Sequence, residues 1–222
     1  MKKEYPKTLK RNDLFPTPIW HEDCPEFVNE LNEASDPHIK DAKKRMKKEI
    51  SNRNKKFGDK KDMGFVYHSN TLLNDKKFEK LFNYIGATSN NLLLEMGFDL
   101  TNYQVFITEA WVQEFAESGG GHHMLHTHWN GHISGFYFLK GSEKTSRPYF
   151  DDPRSGNIMN LLPEKDKTLV TYSTSQINYE PIPGRIMLFP SHLPHLFSVD
   201  NGYEPFRFIH FNCQAIPKSV LK

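Results

Sequence analysis

The sequence predicts a mainly β protein, an antiparallel double-sheet jelly roll buttressed by N-terminal helices. Two observations predict it. From about residue 101 the apolar residues fall in short runs separated by turn chemistry such as Gly119-Gly120-Gly121, Pro183-Gly184 and Asn201-Gly202, with no helical pattern between them. Seven or eight short strands of that kind close most simply into two packed sheets. The preceding part reads differently, with Phe78, Leu81, Phe82 and Ile85 at the i, i+3, i+4, i+7 spacing of a helix that buries one face.

Each element has its own signal. Leu14-Phe15-Pro16-Thr17-Pro18-Ile19-Trp20 is held extended, because a residue before proline is pushed out of the helical region, and it is expected to add a strand to a sheet edge. Pro25 suits the first turn of a helix that carries Phe27, Val28 and Leu31 on one face. Asn74 is a good N-cap for a second helix, in which Leu92, Leu93, Leu94 and Met96 continue the buried stripe up to Gly97, a C-cap. Candidate strands follow at Tyr103 to Ile107, Ala110 to Phe115, Ile133 to Leu139, Leu169 to Tyr172, Gly184 to Phe189, His195 to Val199 and Arg207 to Gln214. The expected organisation is a single domain over 1–222, with a helical buttress and edge strand in 1–100 and the jelly-roll core in 101–217.

Composition narrows the function classes. Aromatic residues make up 13% of the 222 residues, 17 of them Phe, which suits a packed β core. A formal net charge of +2 gives no global electrostatic case for nucleic acid or a membrane surface. The charge is uneven, since 11 Lys and Arg lie between Lys40 and Lys61 against Asp41, Glu49 and Asp59. That run reads first as a solvated face and second as a docking surface for an acidic macromolecule. Cys24 and Cys213 are too few for a disulfide framework, and a reducing, cytoplasmic location is expected. The start lacks the apolar stretch of a signal peptide, and no apolar run is long enough to span a membrane. Oligomeric state stays open, a homodimer included.

The chemistry concentrates in Leu125-His126-Thr127-His128-Trp129-Asn130. Imidazoles two residues apart share one face of a strand and can hold one metal ion together. His195, far along the chain behind a Pro-Gly turn and an apolar strand, supplies a third nitrogen, leaving the opposite face of the metal open as a catalytic site requires. Asn130 lies on the same expected face, near the open position. His122, His123 and His132 read as surface residues, and His192 as either a turn residue or a group orienting a ligand. Trp111, Phe115 and Trp129 read as core. Arg207 lies in an alternating strand where a buried guanidinium needs a partner, either a protein carboxylate or the carboxylate of a bound acid.

These residues carry a resemblance. His126-Thr127-His128, Ser134 to Leu139, Phe150-Asp151-Asp152-Pro153-Arg154, Pro183 to Pro190, His195 and Arg207 to Asn212 together resemble the 2-oxoglutarate and Fe(II)-dependent oxygenase family related to prolyl hydroxylases. Leu14 to Trp20 is similar to its opening motif, and Trp111-Val112-Gln113 to its strand before the metal. The resemblance implies a double-stranded β-helix, a cupin-like jelly roll. It also implies Fe(II), 2-oxoglutarate as cosubstrate, and oxidation of an unidentified small-molecule or peptide substrate by O₂ with release of succinate and CO₂. It makes His126 and His195 iron ligands and Arg207 the group that binds the far carboxylate of 2-oxoglutarate. His128 falls where the superfamily carries Asp or Glu, so Asp151 or Asp152 is the alternative third ligand. Phe138 replaces a phenol that touches the cosubstrate, and Ser134, on the same face, is expected to supply a hydroxyl instead. Three histidines also suit a dioxygenase without 2-oxoglutarate, a zinc hydrolase, or a non-catalytic barrel, and Arg207 is the residue that separates the first reading from these.

Overall fold

The computed structural model describes residues 10–154 and 162–221. Two antiparallel sheets face each other, and two helices cover the outer face of the larger one. The strands are β1 (Trp20–Asp23), β2 (Val66–His68), β3 (Tyr103–Phe115), β4 (His123–His126), β5 (Ile133–Lys140), β6 (Pro148–Asp151), β7 (Gln176–Asn178), β8 (Arg185–Pro190), β9 (His195–Phe197) and β10 (Arg207–Pro217). The larger sheet runs β1-β8-β5-β10-β3-β2, the smaller β4-β9-β6-β7. The helices are α1 (Val28–Phe57) and α2 (Glu79–Glu95).

Alternation sorts the core into two layers. On β10, Ile209, Phe211 and Cys213 turn outward to meet Leu31, Ala34, Leu81, Ile85 and Leu93 of the helices, together with Tyr137 and Leu139 of β5. The alternate residue Phe208 turns inward, where Phe136, Phe138, Phe150, Phe189, Phe197 and Phe206 fill the space between the sheets. Because both faces of the central strands β5 and β10 are covered, they read as nearly continuous apolar runs. Close packing has its own demand at Gly135, where a Cβ would run into the Met187 carbonyl and the Phe211 ring.

Edges and helix ends depart from the sequence expectation in instructive ways. Pairing on the N-terminal edge begins only at Trp20, which lies opposite Leu188, whereas Leu14 and Phe15 are 70% and 86% exposed. Pro16 and Pro18 have no N–H to give to a ladder, so the strand forms after them. The cap before α2 is Asp75, whose Oδ1 accepts from the Lys77 N–H at 3.0 Å, and not Asn74. Gly97 closes that helix at φ +88°, with the Phe98 N–H reaching the Leu93 carbonyl at 3.1 Å. Leu169 to Tyr172 is not a strand but exposed turn structure, with Val170 76% exposed. The basic run lies in the second half of α1 and the loop after it. There Lys43 pairs with Glu114 and Glu117, and Arg53 donates to the carbonyls of Lys61 and Met63, while Lys44, Lys47 and Lys48 face solvent.

Candidate metal centre

Strand β4 pairs with β9 so that His126 lies directly opposite His195. His128 lies two residues past the end of β4, its N–H bonded to the Ser191 carbonyl at 2.9 Å. One ring nitrogen from each of His126, His128 and His195 lies within 4.8 Å of the others. Ring centroids are 4.4 Å apart for His126 and His195, 5.0 Å for His126 and His128, and 5.1 Å for His128 and His195.

Each of these imidazoles spends one nitrogen inside the protein. Nδ1–H of His126 donates to the Met124 carbonyl at 2.7 Å, and Nδ1–H of His195 to the Leu193 carbonyl at 2.9 Å. His128 uses Nε2, which lies 3.0 Å from Nε2 of His210. Nε2 of His195 is buried without a partner, the condition of a ligand atom waiting for its ion. Burial among Phe136, Phe150 and Phe189 pushes the His195 imidazole down to about 3. Burial also lowers His128 to about 4, helped by its neighbour His126. These rings are therefore neutral at physiological pH, with lone pairs available. Among the described residues the cluster offers three imidazole nitrogens and neither thiolate nor carboxylate, which suits Fe(II), Zn(II), Cu(II) or Ni(II), so the donor set fits the iron that the resemblance implies.

Other expectations need correction. Arg207 does not face the space between the sheets. It shares the outward face of β10 with Ile209 and Phe211, is 4% exposed, and forks onto Glu114 at 2.6 and 2.7 Å and onto Asp36 at 2.7 Å. Its partner is thus protein carboxylate, and it is the only buried Lys or Arg among the described residues. Ser134 does face inward, but its hydroxyl donates to Asn212 Oδ1 at 2.6 Å and lies 2.8 Å from Ser191 Oγ, so its one donor is committed within the protein. Asn130 is exposed in the turn after β4, where strand alternation no longer applies. Asp151 accepts from Gln176 and Asp152 pairs with Arg154, and neither belongs to the nitrogen cluster. Trp129 is 87% exposed, not core.

His123 is no surface residue either. It is half-buried, hydrogen-bonded to Gln113 Oε1, and burial lowers it to about 4. Gln113 belongs to the inward face of β3 with Trp111 and Phe115. Sequence reading passed over His210, which is 3% exposed and stacks on Trp111 at 4.6 Å with 13° between the planes. The signal was present: His210 is two residues from Phe208, on the same face of the strand.

Residues 109–212 match the family described as "Putative 2OG-Fe(II) oxygenase". Among solved structures, the fold is similar to the non-heme alpha ketoglutarate dependent epimerase SnoN from nogalamycin biosynthesis, at 10% identity and a TM-score of 0.54, covering 88% of this chain and 76% of that one. SnoN is also known in complex with Fe3+, alpha ketoglutarate and nogalamycin RO. AviO1 from Streptomyces viridochromogenes Tue57 is similar at 10% identity and a TM-score of 0.53, covering 88% and 89% of the two chains. No curated protein matches the sequence. The fold is the double-stranded β-helix, and the residues that match the 2OG-Fe(II) oxygenase model, 109–212, include all three histidines.

Proposed function

We propose that this chain is an Fe(II)- and 2-oxoglutarate-dependent oxygenase that hydroxylates a small-molecule or peptide substrate, with His126, His128 and His195 as the iron ligands. The observation that carries the reading is the convergence of three imidazole nitrogens within 4.8 Å, inside the segment that matches the oxygenase family. Iron with 2-oxoglutarate would supply the oxidising chemistry, with succinate and CO₂ as by-products. The chain's own residues hold and orient. The Met124 and Leu193 carbonyls fix the rings of His126 and His195, so their Nε2 atoms point to one place. Phe136 and Phe189 pack against the His195 ring and give that side of the site an apolar wall. With three neutral ligands the ion keeps its whole charge, an attraction for an anionic cosubstrate that does not need Arg207.

The two cysteines are free and buried, which supports a reducing, cytoplasmic setting. No helix among the described residues is long and apolar enough to cross a membrane.

One observation favours a second reading, a three-histidine metal enzyme that does not use 2-oxoglutarate: the guanidinium expected to bind the far carboxylate is committed to Glu114 and Asp36. Succinate formation separates the two. Iron-loaded protein incubated aerobically with 2-oxoglutarate should release succinate even without substrate, slowly, and His195→Ala should not. Stoichiometric iron with no succinate above the His195→Ala background would overturn the 2-oxoglutarate reading and leave the second.

A further inference from the structure

We propose that His210 is a positioning residue for the metal centre: it fixes the tautomer of His128, so that His128 binds the metal through Nδ1 while His126 and His195 bind through Nε2. The inference rests on the three-histidine reading above and adds a residue that the reading does not use.

A neutral imidazole has one N–H and one lone pair, and a metal-bound imidazole has given its lone pair away, so its other nitrogen is a donor that needs an acceptor. His126 and His195 meet that requirement through backbone carbonyls at Nδ1. For His128 the partner is Nε2 of His210, at 3.0 Å. A lone pair on His128 Nε2 cannot serve both a metal and a hydrogen bond from His210. The contact and metal ligation are compatible only if His128 Nε2–H donates to His210 and Nδ1 faces the ion.

His210 is built for the accepting role. Its ring is 3% exposed, on the inward face of β10, with Nε2 set against His128. Accepting at Nε2 places its own proton on Nδ1, which is buried without a partner. A buried donor left unpaired is destabilising, and plain core packing would avoid it with an apolar side chain at this position. Stacking on Trp111 and contact with Phe136 hold the ring in this one orientation. The third ligand is thus oriented by an imidazole where the other two are oriented by carbonyls.

Zinc serves as the probe, being diamagnetic and tolerant of three imidazoles. In zinc-loaded protein labelled with ¹⁵N-histidine, two-bond ¹H–¹⁵N spectra should show His128 protonated at Nε2 and metal-bound at Nδ1, with the opposite pattern for His126 and His195. His210→Leu should weaken zinc binding by roughly 10–100-fold, and His210→Gln, whose Oε1 still accepts, should restore most of it. His128 bound through Nε2 would overturn the proposal, as would unchanged zinc affinity in folded His210→Leu. The wild-type spectrum decides the matter even if His210→Leu does not fold. Failure of the parent reading looks different: wild-type protein that takes up no zinc, or takes it up with His128 unperturbed, would remove His128 from the ligand set and this proposal with it.

Discussion

Arg207→Met tests the structural assignment of a residue whose sequence context pointed to cosubstrate binding. The guanidinium is 4% exposed and holds Glu114, itself 5% exposed. Replacing it with an apolar side chain of similar length keeps the packing and strands the Glu114 carboxylate. Breaking a buried pair by removing one partner costs about 3–5 kcal/mol. Lys43 still reaches Glu114 at 2.8 Å, so the low end applies, about 3 kcal/mol. Asp36, 64% exposed at its side chain, loses a bond that water replaces and adds little. For a chain of this size each kcal/mol moves Tm by roughly 2–4 °C, giving a fall of roughly 6–12 °C in a calorimetric scan. The double variant Arg207→Met/Glu114→Leu should recover most of the loss, because a buried ion pair replaced as a unit by apolar residues is close to neutral. Affinity for 2-oxoglutarate in the folded variant should match wild type. An unshifted Tm together with a tenfold or greater loss of 2-oxoglutarate affinity would refute the outward placement of the guanidinium.

Acid stability should follow the buried histidines. Their folded-state values lie below the ordinary 6.5, at about 4 for His123 and His128 and about 3 for His195, so between these limits the unfolded chain binds more protons. Their contribution is complete above about pH 6.5 and is lost as pH falls toward 4, and denaturant midpoints of metal-free protein that are flat across that interval would contradict it. Gly135→Ala should cost about 1–3 kcal/mol by overpacking against Met187 and Phe211, read as a lower denaturant midpoint with the slope unchanged. Cys213, wholly buried beside Ser89 Oγ with its thiol pushed up to about 11, should resist an aromatic disulfide reagent until the protein unfolds, and rapid native labelling would contradict its placement.

What could be read from the sequence follows from how local each signal is. The long strands β3, β5, β8 and β10 carry enough apolar residues to announce themselves, and the three histidines are marked by spacing and by an apolar approach to His195. The short strands β4, β6 and β7 have three or four residues each, too few for a period to show, and are set by pairing with β9 and with one another. Arg207 failed for a reason of symmetry: on a strand buried on both faces, composition does not say which face is the cavity. A guanidinium that faced the helices with Glu114 and Asp36 looked the same as one that faced a ligand. Glu114 on the paired strand was the available hint, since Arg207 and Glu114 lie directly opposite in the β3–β10 register. His210 and the Gln113–His123 pair were missed because their meaning lies in what they touch across the sheets, which no spacing within one strand conveys.

The central claim is that His126, His128 and His195 hold one metal ion, and a manganese titration followed by electron paramagnetic resonance tests it most directly. Free Mn(II) gives a sharp signal that binding broadens away, so stoichiometry and affinity come from one curve. The account predicts one site per chain, weakened at least tenfold in each of His126→Ala, His128→Ala and His195→Ala. Wild-type binding retained in any of the three folded variants would contradict it.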